Sequence, residues 1–184
     1  VHLDERRRAV LSHLRKSLAL GQGPVLLTGE AGSGKSTLVR ALLEAPPEDT
    51  RLVLLDNPRQ NAEELVQSLC EALGVEAAGG GGGKARFDAL VGALQATAAI
   101  GGHIGVVVDE AQDLPDDALE QLRLLDNLDD GGPRLLRILL VGQPELRDRI
   151  ASPALGRLAQ RVSARYSLEA MTEDETDAYL RHRL

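Results

Sequence analysis

Aromatic side chains are nearly missing from this chain. Phe87, Tyr166 and Tyr179 make up 2% of its 184 residues, and there is no Trp. The core must therefore be aliphatic, built from Leu, Val, Ile and Ala, and platforms on which bases could stack are scarce. Cysteine occurs once, at Cys70. That excludes an internal disulfide, fits a reducing compartment, and reads as a small buried hydrophobe on a helix. His2, His13, His103 and His182 are scattered without ligand spacing, so no zinc site is expected. Long apolar runs are absent too. A membrane helix needs roughly 20 such residues, and the longest run here, Leu135 to Val141, is interrupted by Arg137. No signal peptide is read. The chain opens on Val1 and its sole Met is Met171, so it reads as a piece of a longer protein. Basic charge is also in short supply, with a net charge of −7. A protein binding nucleic acid or an anionic membrane over its whole surface would carry the opposite sign.

What is present is an ordinary globular composition, 43% hydrophobic and 27% charged, long enough for about one domain with a core that needs no staple. Residues 1–184 are read as that single domain. Leu3 to Leu20 has helical spacing, with Arg6, Arg7 and Arg8 as a solvated face or, less favoured, a phosphate-binding patch. Val25 to Leu27 is a short buried strand, followed by a glycine-rich turn to Ser36 and a helix from Thr37 to Glu44, stopped by Pro46 and Pro47. Leu52 to Leu55 is the second strand. A helix follows from Ala62 to Leu73, closed by Gly74. Residues 79–83 are all glycine and read as a flexible loop. The next helix covers Lys84 to Ala99. Ile104 to Val108 is a third strand, β-branched but for Gly105 and so expected to be central. Pro115 opens a helix, Ile138 to Val141 is the fourth strand, and short helices follow Pro144 and Pro153. Arg165 to Leu168 is a fifth strand. Thr172 and Glu175 have capping-box spacing for a last helix. Apolar strands alternating with helices predict an α/β fold, a parallel sheet covered on both faces.

Gly29-Glu30-Ala31-Gly32-Ser33-Gly34-Lys35-Ser36 matches G-x-x-x-x-G-K-[ST]. The glycines let successive backbone N–H groups point inward at phosphate oxygens, and the loop feeds a helix N-terminus whose partial positive charge favours an anion. Lys35 would reach the β- and γ-phosphates, Ser36 would ligate Mg²⁺, and Thr37 completes the binding set. Val106-Val107-Val108-Asp109-Glu110 supplies the second half: Asp109 to hold Mg²⁺ through water and Glu110 to orient or deprotonate the attacking water. Together these imply nucleoside triphosphate hydrolysis. No guanine-specifying Asn/Thr-Lys-x-Asp motif is visible, which favours ATP. Gln143, just after the fourth strand, could reach the γ-phosphate and the water if that strand lies between the first and third.

The phosphate loop, Asp109 to Leu114, Leu119 to Leu128, Gly142-Gln143-Pro144-Glu145-Leu146, Tyr179 to Leu184 and the Asn57-Pro58 pair together resemble the ATPase domain of the ExeA/GspA group, the general secretion pathway protein A type of AAA+ ATPase. Transposition ATPases of the TnsC, TniB and MuB type are related. The resemblance implies a P-loop AAA+ core with strand order 5-1-4-3-2, Gln143 in the sensor-1 role, and self-association into a ring or filament. It also implies a helical lid with a sensor-2 arginine after Leu184 and, in secretion members, a membrane helix and periplasmic region further on. This segment would then work in the cytoplasm, or as the cytoplasmic part of an inner-membrane protein, without touching the membrane. Its ATP turnover would serve secretin assembly, with a secretion-system protein as partner. In AAA+ proteins the region before the fifth strand carries an arginine finger. Arg165 resembles the Arg of the common Ser-Arg-Phe version, with Ala and Tyr in place of Ser and Phe, and Arg161 is the next choice; the bland alternative is surface arginines paired with acids. Two other functional classes stay open: an ATP-dependent, DNA-binding transposition regulator, which the acidic charge disfavours, and a nucleotide-gated interaction switch.

Overall fold

Asp4 starts the first helix. Its side chain accepts the Arg7 amide at 2.8 Å, satisfying one of the donors that every helix N-terminus leaves open. The computed structural model describes residues 3–57, 59–77, 81–128 and 134–169, so the helix expected from Thr172 lies outside the described residues. Within them the helices are α1 (Glu5–Leu20), α2 (Lys35–Glu44), α3 (Ala62–Leu73), α4 (Gly83–Ala99), α5 (Asp116–Asp126), α6 (Pro144–Ile150) and α7 (Gly156–Arg161). The strands are β1 (Val25–Gly29), β2 (Thr50–Leu55), β3 (His103–Val108), β4 (Leu136–Gly142) and β5 (Ala164–Leu168).

The strands form one parallel sheet in the order β2-β3-β4-β1-β5, which read backwards is the expected 5-1-4-3-2. Period-2 alternation sorts the apolar residues onto its two faces. Val25 and Leu27 of β1, Val107 of β3, and Leu139 and Val141 of β4 pack with Leu11, Leu14, Leu18 of α1 and Leu38, Leu42 of α2. Leu26, Val106, Val108, Ile138 and Leu140 face the other way, against Leu65 and Leu69 of α3, Leu90 and Leu94 of α4, and Leu119 and Leu122 of α5. Each fully buried Leu contributes about 2 kcal/mol, which is how an aliphatic core suffices without aromatics. Cys70 lies buried on α3 in this second layer.

Four readings change in detail. The second helix begins at Lys35, not Thr37, because the phosphate loop itself supplies the N-terminal turn. The glycine run does not end as loop: Gly82 caps α4 and Gly83 is its first residue. β3 is interior, but the middle position belongs to β4. Arg6 and Arg8 are exposed, as a solvated face requires, whereas Arg7 is buried.

Arg137, which breaks the longest apolar run, is also buried. Its guanidinium donates to the carbonyls of Leu18 and Ala19. These belong to the C-terminal turn of α1, where carbonyls lack helical partners and a cation is favoured. Asp126, 1% exposed at the end of α5, accepts from Arg134 and, at 2.7 Å, from Arg161. The edge strand β5 is tied to α1 through Tyr166, whose hydroxyl lies 2.7 Å from Ser17 Oγ.

Candidate functional site

Parallel strands present all their C-terminal ends to one side, and in open α/β sheets ligands bind there. Here β4 lies between β1 and β3, pairing Thr28 with Gly142 and Val108 with Leu140. Gln143 thus stands between the loop that leaves β1 and the acids that leave β3, the condition under which the sequence gives it access to the reacting end of a triphosphate.

A cavity of about 340 Å³ opens at this place, lined by Ala31, Gly32, Gly34, Lys35, Ser36, Thr37, Glu110 and Gln143. It brings together six of the nine expected nucleotide-binding residues with two of the expected catalytic ones. Gly29, Glu30 and Ser33 do not line it. Gly29 and Glu30 act through their carbonyls, which accept the Lys35 ammonium at 2.7 and 2.9 Å. Ser33 is fully buried, and its hydroxyl has no hydrogen-bond partner among the described residues. Lys35 is itself buried. Its ammonium bridges two carbonyls of its own loop, which holds the charge beside the cavity.

Glu110 has φ +49°, a left-handed conformation that costs a non-glycine residue on the order of 1 kcal/mol or more and tends to occur where function demands it. The Asp109 carboxylate helps hold it, accepting the Glu110 amide at 2.9 Å. Burial raises the Asp109 carboxyl above its ordinary value of 3.8. The Glu110 amide and the Lys35 charge pull the other way, while the carboxylates of Glu110 and Asp56 add to the rise. A half-buried acid crowded by acids is a hard-oxygen donor short of positive charge, and Ser36, which lines the cavity with Glu110, adds an exposed hydroxyl. That chemistry fits Mg²⁺.

Gln112 joins the two catalytic candidates, a contact that sequence reasoning missed. Its side-chain nitrogen donates to Glu110 Oε2 at 2.6 Å, and its side-chain oxygen accepts the backbone N–H of Gln143 at 3.1 Å. Its own backbone carbonyl is held by Arg149 at 2.6 Å. The signal available in the sequence was a polar residue two places beyond Glu110, but the spacing does not say which way it faces. Gly142 makes the contact feasible: a Cβ there would lie 2.4 Å from Gln112 Oε1 and 2.9 Å from Leu146 Cδ2. Gly142→Ala should therefore push Gln112 off Glu110 and cost about 1–3 kcal/mol of stability. A urea titration giving the parental midpoint would show that the packing around Gln112 has more slack than this.

The two finger candidates lie apart from the cavity and differ in their surroundings. Arg161 is engaged with the buried Asp126. Arg165 is exposed on the edge strand, where it donates a long bond, 3.3 Å, to the Ala159 carbonyl.

Residues 18–150 match the AAA domain family. That span holds the phosphate loop, both acids and Gln143, and stops short of Arg161 and Arg165. Over all 184 residues the chain is 41% identical to General secretion pathway protein A of Aeromonas hydrophila, and it spans 34% of that protein's length. Among solved structures, Cdc6p from Pyrobaculum aerophilum is similar with a TM-score of 0.76 at 21% identity, covering 97% of this chain and 49% of that one. The Aeropyrum pernix ORC2 protein in its ADP form gives 0.73 at 16% identity, covering 97% of this chain and 51% of that one. The Thermotoga maritima RuvB Holliday junction branch migration motor gives 0.56 at 20% identity, covering 97% and 49%. At these identities the structural likenesses bear on the fold alone. No helix among the described residues is long and apolar enough to cross a membrane.

Proposed function

This chain belongs to the AAA domain family, as a domain of the general secretion pathway protein A type, and on that premise we propose that it binds Mg-ATP and hydrolyses the β–γ phosphoanhydride bond. The observation that carries the reading is the single cavity walled by the phosphate loop on one side and by Glu110 and Gln143 on the other.

The roles follow from position. The amides of residues 31–37 and the N-terminus of α2 hold the phosphates. Lys35 leaves the carbonyls of Gly29 and Glu30 for the β- and γ-oxygens. Ser36 and Asp109 would hold Mg²⁺, which when bound offsets charge on the phosphate oxygens. Glu110 takes the proton of the attacking water, and Gln143 orients that water toward the terminal phosphorus. Gln112 keeps both in register.

Self-association would bring the exposed Arg165 against a neighbour's γ-phosphate. Arg161 would first have to leave Asp126, so Arg165 carries this part of the proposal. The identity with a secretion-pathway protein over the whole chain supports work in assembling a secretion apparatus, with ATP turnover as the energy source.

Calorimetric titration of this chain with Mg-ATP tests the reading. One site per chain is expected, with a dissociation constant between roughly 1 μM and 1 mM, the usual substrate range. GTP should bind more weakly. Absence of binding at millimolar Mg-ATP and Mg-ADP would sink the proposal.

A further inference from the structure

Arg7 is 7% exposed, although its neighbours Arg6 and Arg8 on the same helix are exposed. Its guanidinium leaves α1 and reaches the phosphate loop at Ser33, and neither residue lines the cavity. There Nε and Nη2 both donate to the carbonyl of Ser33, at 3.3 and 3.0 Å. Asp4, which caps α1, also pairs with Arg7 Nη1. Burial works against the charge on Asp4, but the Arg7 amide and guanidinium outweigh it and hold its carboxyl below the ordinary 3.8. The ion pair is thus built into the first turn of the helix.

The effect on the loop follows from the peptide plane. In a trans peptide the C=O of one residue and the N–H of the next point in opposite directions. Pulling the Ser33 carbonyl outward onto Arg7 therefore turns the Gly34 N–H inward, and Gly34 lines the cavity. Gly34 has φ +94°, and a Cβ at this position would lie 2.8 Å from Arg7 Nε. The glycine thus serves the loop's left-handed turn and also the close approach of the arginine behind it.

We infer that Arg7 is a positioning residue for nucleotide binding: it presets the Ser33–Gly34 peptide so that the Gly34 amide faces the phosphates, and it couples the first turn of α1 to the occupancy of the site. The inference rests on the reading of the cavity as a phosphate site. Coupling of this kind is reciprocal. What Arg7 adds to nucleotide affinity, bound nucleotide must return as added stability of the first turn of α1.

The experiment uses this chain, ¹⁵N-labelled, with Mg-ADP as the probe. In the parent, saturating ADP is expected to shift the Gly34 amide resonance and to slow hydrogen exchange at the Arg7 and Arg8 amides. Arg7→Lys keeps a charge for Asp4 but loses the forked donor pair, and Arg7→Gln loses the charge as well. Each should raise the ADP dissociation constant, by about tenfold for Lys and more for Gln. Each should also shrink the ADP-induced shift at Gly34, a change that mere loss of stability would not produce. An Arg7→Lys protein with parental ADP affinity and a parental Gly34 shift overturns the inference. So does parental exchange at Arg7 and Arg8 that ignores ADP, a measurement that needs no variant to fold. If the parent binds ADP in either case, the reading of the cavity stands; if it does not, that reading falls with the inference.

Discussion

Lys35→Ala is expected to abolish measurable binding of Mg-ATP, raising the dissociation constant by ~10³ or more. A charge-assisted hydrogen bond contributes about 1.5–3 kcal/mol, and the ammonium would make at least two to the β- and γ-oxygens, which converts to that factor. The cost should fall on the ligand-bound state first. Among the described residues the Lys35 ammonium donates to the carbonyls of Gly29 and Glu30, and Glu30 is exposed, so water can replace part of what is lost. A stability loss of about 1 kcal/mol is expected in the absence of nucleotide. Calorimetry and thermal melting, run with and without Mg-ADP, separate the two effects. The parent should melt higher with nucleotide, because a ligand bound to the native state alone stabilises it by mass action, and the variant should not. Equal ATP affinity for variant and parent would remove the phosphate loop from the proposed site.

Glu110→Gln should bind Mg-ATP as the parent does and turn it over ~10²–10⁴ more slowly, the range that a positioned general base contributes. The amide keeps the side chain's shape, and its oxygen can still accept the Gln112 donor that Glu110 accepts at 2.6 Å. The left-handed backbone at position 110 is therefore kept, and only the proton acceptor is lost. Single-turnover hydrolysis at saturating ATP reads the chemical step directly. A parental rate there means that another group takes the proton. The same variant tests the neighbour-supplied arginine. Arg165→Ala should lower turnover and spare binding, since Arg165 lies outside the cavity lining. Mixing the two inactive proteins should restore partial activity in assemblies where an intact Glu110 meets an intact Arg165. Co-assembled subunits that stay inactive would dismiss Arg165 as a finger acting in trans.

Binding and turnover therefore separate along the chain. Lys35 belongs to a continuous segment in which spacing alone specifies the chemistry. Glu110 belongs to a strand end whose use depends on where neighbouring strands fall. The loop motif could be read because its glycines, lysine and serine act within one turn of backbone, and the structure gathers residues 31, 32 and 34 to 37 around one cavity. The sheet order was available only through resemblance, since alternating strands and helices fit several parallel orders. Its consequence, Gln143 between the loop and Glu110, is geometric.

Short-range rules determined what the sequence could state by itself: the presence of each strand, the phosphate loop, the Gly74 stop of α3, and the aliphatic core. Each depends on residues a few places apart, whose relative positions the backbone fixes once helix or strand is chosen. The misplaced boundaries were local as well: β2 and β4 each begin two residues before the expected start, and at Lys35 and Gly83 glycines that discourage a helix instead serve to start one. The tertiary structure alone decided the fate of the charged and polar side chains. Arg7 meets Ser33 across 26 residues, Gln112 meets Gln143 across 31, Arg161 meets Asp126 across 35, and Arg137 reaches Ala19 across 118. An arginine in the sequence is compatible with a solvated face, a helix cap, a buried ion pair or a loop support. Burial removes water from it and makes an unpaired charge expensive, so the acceptor that the fold happens to place within reach selects the role. That acceptor is a carbonyl of the phosphate loop for Arg7, a buried carboxylate for Arg161, and the open end of α1 for Arg137.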